Sequence, residues 1–155
     1  MKISSVHFNN RKKGFEIKTR SDSYWFPYVK LDTQPKSGDK VLRASVDAEL
    51  SNEGFVYALE SGKEGTVHIE QVLEYNRDPS YMRDILLYKL TLEAQKRVNM
   101  SPLSKREVIR RLGTSATQFY RLLDQTNYRK SIDQMLLLLN VLDCEVDVIV
   151  RAKSA

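Results

Sequence analysis

Cysteine is almost missing from this sequence of 155 residues. Cys144 stands alone, so neither a disulfide framework nor a cysteine-based metal site can be built. Histidine is scarce as well. His7 and His68 fall in separate strand-like stretches, and no cysteine or carboxylate cluster supplies a third ligand or an orienting partner. There is no glycine-rich phosphate loop, no internal repeat and no low-complexity run. The longest apolar run, Met135 to Leu139, is far too short to cross a bilayer. The opening MKISSVHFNNRKK lacks the apolar core of a signal peptide. Together these absences predict a cytoplasmic protein with a reducing environment, no membrane association, no cofactor and no enzymatic role.

What is present is charge in an uneven distribution. The chain is 41% hydrophobic and 29% charged, with a net charge of +5, an ordinary globular composition. Residues 1 to 78 hold twelve basic and twelve acidic side chains, whereas residues 79 to 155 hold thirteen and eight. Between 96 and 130 stand Lys96, Arg97, Lys105, Arg106, Arg110, Arg111, Arg121, Arg129 and Lys130, against only Glu107 and Asp124. A basic patch focused on one segment is the electrostatic footprint of a polyanion binder.

The first 68 residues read as short strands. KISSVHF, FEIKT, SYWFPYVKL, VLRASVDAEL, FVYALE and GTVHIE are the candidates, separated by NNRKKG, DTQPKSGD and SGKEG. Close spacing and tight turns predict a small antiparallel sheet. The aromatic run Tyr24, Trp25, Phe26 and Tyr28 reads as strand packing, with stacking on bases or a partner the less favoured use. Ile69 to Tyr75 reads as a short helix, and residues 76 to 78 as a domain boundary. Asp78 caps a helix from Pro79, where a missing N–H costs nothing, to about Asn99. Ile85, Leu86, Tyr88, Leu92 and Val98 are its expected apolar side. Ser131 caps a later helix over MLLLLNVL, and EVDVIV alternates like a strand.

The centre of the second half is SKREVIRRLGTSATQFYRLLD, residues 104 to 124. Ser104 and Glu107 have the spacing of a reciprocal helix cap, and Ser115 and Gln118 repeat it. Val108, Ile109 and Leu112 fall on one face. Gly113 sits where a helix end favours positive φ. Phe119, Leu122 and Leu123 form the inward stripe of the next helix, leaving Ala116, Thr117, Tyr120 and Arg121 outside. Two helices joined by a short glycine-containing turn describe a helix-turn-helix unit.

This stretch resembles the lambda-repressor-like, or Xre/Cro-type, helix-turn-helix proteins. Leu103, Val108, Leu112, Gly113, Ser115, Phe119, Arg121, Leu122 and Leu123 carry the resemblance, and SIDQMLLLLNVLDCEVDVIV is similar to the fourth helix and following strand of antitoxin-like members. The family more often has a small residue at the position of Ile109 and Gln at that of Ala116. Val46, Asp47, Ala48, Glu49 and Leu50 loosely resemble a "v-D-p-E-L" stretch in a small bacterial domain of unknown function.

The strand pattern and the resemblance together predict an α+β chain in two parts: a small antiparallel β-sheet domain with a short helix over 1–77, then an all-helical lambda-repressor-like domain over 78–155 ending in a strand. The resemblance implies a homodimeric bacterial regulator of transcription that binds double-stranded DNA. The alternative is an antitoxin-like module that neutralises a small toxin-like protein and binds DNA secondarily. The DNA contacts expected are Lys105, Arg106, Arg110, Ser115, Ala116, Thr117, Gln118, Tyr120, Arg121, Arg129 and Lys130. Lys105, Arg129 and Lys130 are assigned to phosphates and Arg121 to a guanine edge or a phosphate.

Overall fold

A computed structural model describes residues 1–152. Over these residues the chain is α+β, with two three-stranded antiparallel sheets and five α-helices. It divides into two compact units, Met1–Met82 and a second that begins at Arg83.

In the first unit, β1 (Ile3–Asn9), β2 (Gly14–Thr19) and β3 (Ser23–Pro27) form one meander. The alternation of FEIKT settles its faces: Phe15 and Ile17 are fully buried, while Glu16 and Lys18 face water. Gly14 pairs with Pro27 across β3. A Cβ at Gly14 would lie 2.2 Å from the Trp25 ring, so the indole occupies space that only glycine leaves open. The aromatics of β3 thus pack on both sides, with Phe26 in the core and Trp25 against the opposite face. A 3₁₀ turn at Tyr28–Lys30 and a polar loop end this sheet.

The second sheet is β4 (Val41–Val46), β5 (Gly54–Leu59) and β6 (Glu64–His68), with β5 central. Its aliphatic and aromatic positions are buried on both faces except Val56, as a middle strand requires. Phe15 of the first sheet meets Phe55 and Tyr57 of the second at ring-centroid distances of 4.8 and 5.5 Å, so one core serves both sheets. The helix α1 (Ile69–Asn76) buries Ile69, Val72 and Leu73 in that core. His68 caps it, with Nδ1 accepting from the Glu70 N–H at 3.2 Å. The VDAEL stretch is the end of β4 and a turn, in which Asp47 Oδ1 accepts from the Glu49 N–H at 2.9 Å.

The helix α2 (Pro79–Met100) opens with the Asp78 carboxylate accepting from the Tyr81 N–H at 3.0 Å. Beyond it lie α3 (Lys105–Leu112), α4 (Ala116–Leu123) and α5 (Ile132–Val141). Leu87, Ala94, Val98, Val108, Phe119, Leu122, Met135, Leu138 and Leu139 form the core of the second unit.

Three expectations are corrected. One antiparallel sheet domain followed by an all-helical domain is not what the chain forms. Its strands make two sheets rather than one, with a 3₁₀ turn between β3 and β4, and helices stand in both units; the short helix expected after the strands is α1, in the sheet unit's core. Pro27 has no N–H to offer a further strand, the Tyr28 N–H bonds back to the Lys13 carbonyl at 2.9 Å, and the chain then enters the 3₁₀ turn. The strand expected at 145–150 is not formed; no strand pairing involves these residues. An isolated strand has no ladder partner to stabilise it. On α2 the buried stripe is Leu87, Thr91, Ala94 and Val98, while Leu86, Tyr88 and Leu92 are exposed. Small residues at 91 and 94 let neighbouring side chains approach, which hydropathy alone does not reveal.

Candidate nucleic-acid interface

The α3–α4 pair is built from its caps inward. Ser104 Oγ accepts from the Glu107 N–H at 3.1 Å and opens α3. Gly113 closes it at φ +67°, and its N–H reaches the Arg110 carbonyl at 3.1 Å. Ser115 Oγ accepts from the Gln118 N–H at 3.2 Å and opens α4 three residues after α3 ends. Val108 from α3 and Phe119 from α4 are fully buried in the same core. That burial fixes what faces out: Ala116, Thr117, Gln118, Tyr120 and Arg121 are all exposed. Tyr120 is held edge-on against Phe119, with ring centroids 5.3 Å apart.

Neither reciprocal half of the two expected capping boxes forms. Glu107 turns its carboxylate to Arg110 Nε at 2.9 Å and Arg111 Nε at 3.0 Å instead. Two guanidinium partners outcompete one backbone N–H at an exposed helix start. The Gln118 amide is free of the cap and exposed. A complete capping box does form at α5, between Ser131 and Gln134.

The end of α4 is held by side chains from outside the helix. The last-turn carbonyls of a helix have no partner within it, and here those of Arg121, Leu122 and Leu123 find side-chain donors. Asn127 Nδ2 donates to the Arg121 carbonyl at 3.2 Å, and Gln95 Nε2 to that of Leu123 at 2.7 Å. Lys130 Nζ donates to the carbonyls of Leu122 at 2.8 Å and Asp124 at 2.9 Å. Lys130 is only 4% exposed, and burial pushes its ammonium below the ordinary lysine range. Arg83 ties down the following loop through the carbonyls of Tyr128 and Lys130, both at 3.2 Å. Lys130 is therefore not placed to touch a phosphate; it is a structural cap. Nothing in the spacing of Arg129 and Lys130 distinguishes the two. Arg83 and Gln95 were missed because their partners lie 45, 47 and 28 residues away.

The basic side chains thus fall into three groups. Lys96, Lys105, Arg106, Arg121 and Arg129 are exposed and form no ion pair among the described residues. Arg97, Arg110 and Arg111 are paired with Glu93 and Glu107. Lys130 is buried. Gln118, Arg121, Thr126, Asn127, Arg129 and Gln134 line an open polar cavity of about 520 Å³ beside α4. Among the described residues there is no cluster of metal-ligating side chains and no helix long and apolar enough to cross a membrane. No family model, curated protein or solved structure matches the chain.

Glu107 gives this face an adjustable element. Hydrogen bonds from Arg110, then Arg111, hold its carboxyl at about 2, below the ordinary value of 4.5. A depressed carboxyl stabilises the fold fully above pH 4.5, and that contribution fades as the pH falls toward about 2. Glu107→Gln is expected to free both guanidinium groups. If this face meets duplex DNA, the slope of log affinity against log salt should steepen by about one to two units. An unchanged slope in an anisotropy titration would show that these arginines face away from the DNA.

Proposed function

We propose that this chain is a sequence-dependent double-stranded DNA-binding protein, a cytoplasmic transcriptional regulator of the lambda-repressor-like type rather than an enzyme. In this reading α4 enters the major groove, with α3 across the backbone behind it. The observation that carries the reading is the division of α4. Its Phe119 and Leu122 are buried, its terminal carbonyls are fastened, and Thr117, Gln118, Tyr120 and Arg121 are exposed on a rigid rod among unpaired cations. Side chains that read bases have to be preorganised, because each flexible side chain fixed on binding costs about 0.5–1.5 kcal/mol.

Within this reading Lys105 and Arg129 meet phosphates, with Arg106 flanking them, and Arg121 meets either a guanine edge or a phosphate. About four phosphate contacts per chain predict a slope of roughly −4 for log affinity against log salt. Selection of bound sequences from random duplexes, followed by anisotropy titrations, tests this. Arg121→Ala should cost about 1–3 kcal/mol on the selected site and relax preference at one base pair if it reads guanine. It should instead lower affinity for all duplexes and reduce the slope by about one if it holds a phosphate. Lys105→Ala should show only the second pattern. No duplex binding at low salt, or no effect of changes at Thr117, Tyr120 and Arg121, would refute the reading.

A further inference from the structure

The first unit carries a cavity that the DNA-binding reading does not use. It lies among the turn at residues 10–13, the end of β3 and the loop 31–40, and its volume is about 600 Å³, the size of a small-molecule site. Lys13, Lys36 and Lys40 line it, and so do Pro27, Val29 and Pro35. Among the described residues no carboxylate lines it, and none of the three lysines forms an ion pair. The Asp39 carboxylate of the same loop attracts Lys36, but its hydrogen bonds go to the Ser61 N–H and Oγ, both at 2.8 Å. Val29 is 69% exposed, which leaves an aliphatic surface open beside the cations.

The walls are held although the loop is irregular. Lys36 and Asp39 exchange both backbone hydrogen bonds, at 3.1 and 2.9 Å, around Gly38 at φ +83°. The Lys40 carbonyl accepts from the Glu60 N–H at 2.9 Å, and the Thr33 carbonyl from the Tyr57 hydroxyl at 2.8 Å. Gln34 Nε2 donates to the Val29 carbonyl at 3.0 Å. Asn10 joins the turn to β4: its Oδ1 accepts from the Tyr28 hydroxyl at 2.9 Å and the Val41 N–H at 3.2 Å, and its Nδ2 donates to the Val41 carbonyl at 2.9 Å. These bonds occupy Asn10, Tyr28 and the Gln34 amide nitrogen. The donors left for a ligand are the three ammonium groups and the Ser37 hydroxyl. Lys13 itself stands at φ +57°, a left-handed conformation that glycine or asparagine adopts more readily. Backbone strain kept at a concave cationic surface points to a binding role.

We infer that this cavity binds a small phosphate monoester with an apolar or aromatic body. The phosphate sits among Lys13, Lys36 and Lys40, and the body lies on Pro27, Val29 and Pro35. Three ammonium groups without a carboxylate match a doubly charged group better than a singly charged one. The apolar wall gives such an ester an advantage over inorganic phosphate. The site does not rest on the DNA-binding reading, since all its residues belong to the first unit.

Phenyl phosphate is a minimal probe, titrated into the ¹⁵N-labelled full-length chain in a low-salt, phosphate-free buffer. Amide signals of Lys13, Val29, Ser37 and Lys40 should shift together and saturate by about 10 mM. Inorganic phosphate and benzoate should each bind several times more weakly. Lys36→Gln and Lys40→Gln should each weaken phenyl phosphate binding about three to ten times. Both side chains are exposed, so the melting temperature should not change. Lys2→Gln, exposed and outside the cavity, should have no effect. The proposal is overturned by shifts that do not saturate, or that map to residues 105–129 instead. Equal binding of inorganic phosphate removes the apolar wall, and equal binding of benzoate removes the phosphate. Equal losses for Lys2→Gln would reduce the effect to general charge attraction. A single-stranded oligonucleotide that shifts the same amides at lower concentration would make the surface a strand-binding one and overturn the small-ligand assignment. Duplex binding is measured separately, so its absence would count against the DNA reading alone.

Discussion

Lys130→Ala is expected to be among the most damaging single changes in the second unit, at about 3–4 kcal/mol. Two parts make up this figure. Removing the stem loses roughly 0.8 kcal/mol for each buried methylene. Removing the ammonium leaves the Leu122 carbonyl without its side-chain donor, at about 1–3 kcal/mol for a buried unsatisfied group, while the Asp124 carbonyl keeps the Asn127 N–H at 3.1 Å. Relief from burying a charge offsets some of this, as the lowered pKa of Lys130 records. Lys130→Met separates the parts by restoring the stem without the donors, and should recover part of the loss. In a unit of this size each kcal/mol moves the melting temperature by about 4–8 °C.

Within the proposed DNA-binding reading, the DNA affinity of the same variant distinguishes a cap from a contact. A loosened α4 should bind all duplexes more weakly, with the salt slope unchanged. Arg129→Ala, one residue away and exposed, should lower the slope by about one with little effect on melting. A reduced slope for Lys130→Met at unchanged stability would return Lys130 to the phosphate contacts and remove its role as a cap.

Phe119→Ala is the second large effect, at about 3–5 kcal/mol, the usual range for emptying a fully buried phenylalanine site. Phe119 shares its core with Val108, Leu87, Met135 and Leu138, all of them fully buried. A loss of that size is comparable with the whole stability of a small domain. The helical signal of the second unit should disappear at or below ambient temperature. Trp25, the one tryptophan, lies in the first unit and reports on that unit separately. A melting temperature within a few degrees of wild type would mean that Phe119 is not the keystone described here.

Much of the local structure was legible in the residues. All six strand candidates in the first 68 residues contain strands, because alternation such as Phe15, Glu16, Ile17, Lys18 has period two wherever the strand ends up, whereas the alternating 145–150 stretch found no ladder. The cap at Ser104, the positive φ of Gly113 and the start of α2 at Pro79 were equally readable, since each depends on bonds within a few residues. The outward face of α4 followed from the spacing of Phe119 and Leu122.

The sequence by itself determined local propensity, the polarity of each face and the concentration of positive charge between residues 96 and 130. Only the tertiary structure decided which neighbours those faces meet. It divided six strands into two sheets around Phe15, Phe55 and Tyr57, and drew α1 into their core. It left residues 145–150 without a strand to pair with. It buried Lys130 beside an exposed Arg129, and brought Gln95 to the last carbonyl of α4 and Arg83 to carbonyls of the loop that follows. The physical reason is common to all of these. A pattern along the chain records which side of an element avoids water. Pairing, burial of a charge and satisfaction of a helix end are interactions between residues dozens of positions apart, and only the folded chain brings them together.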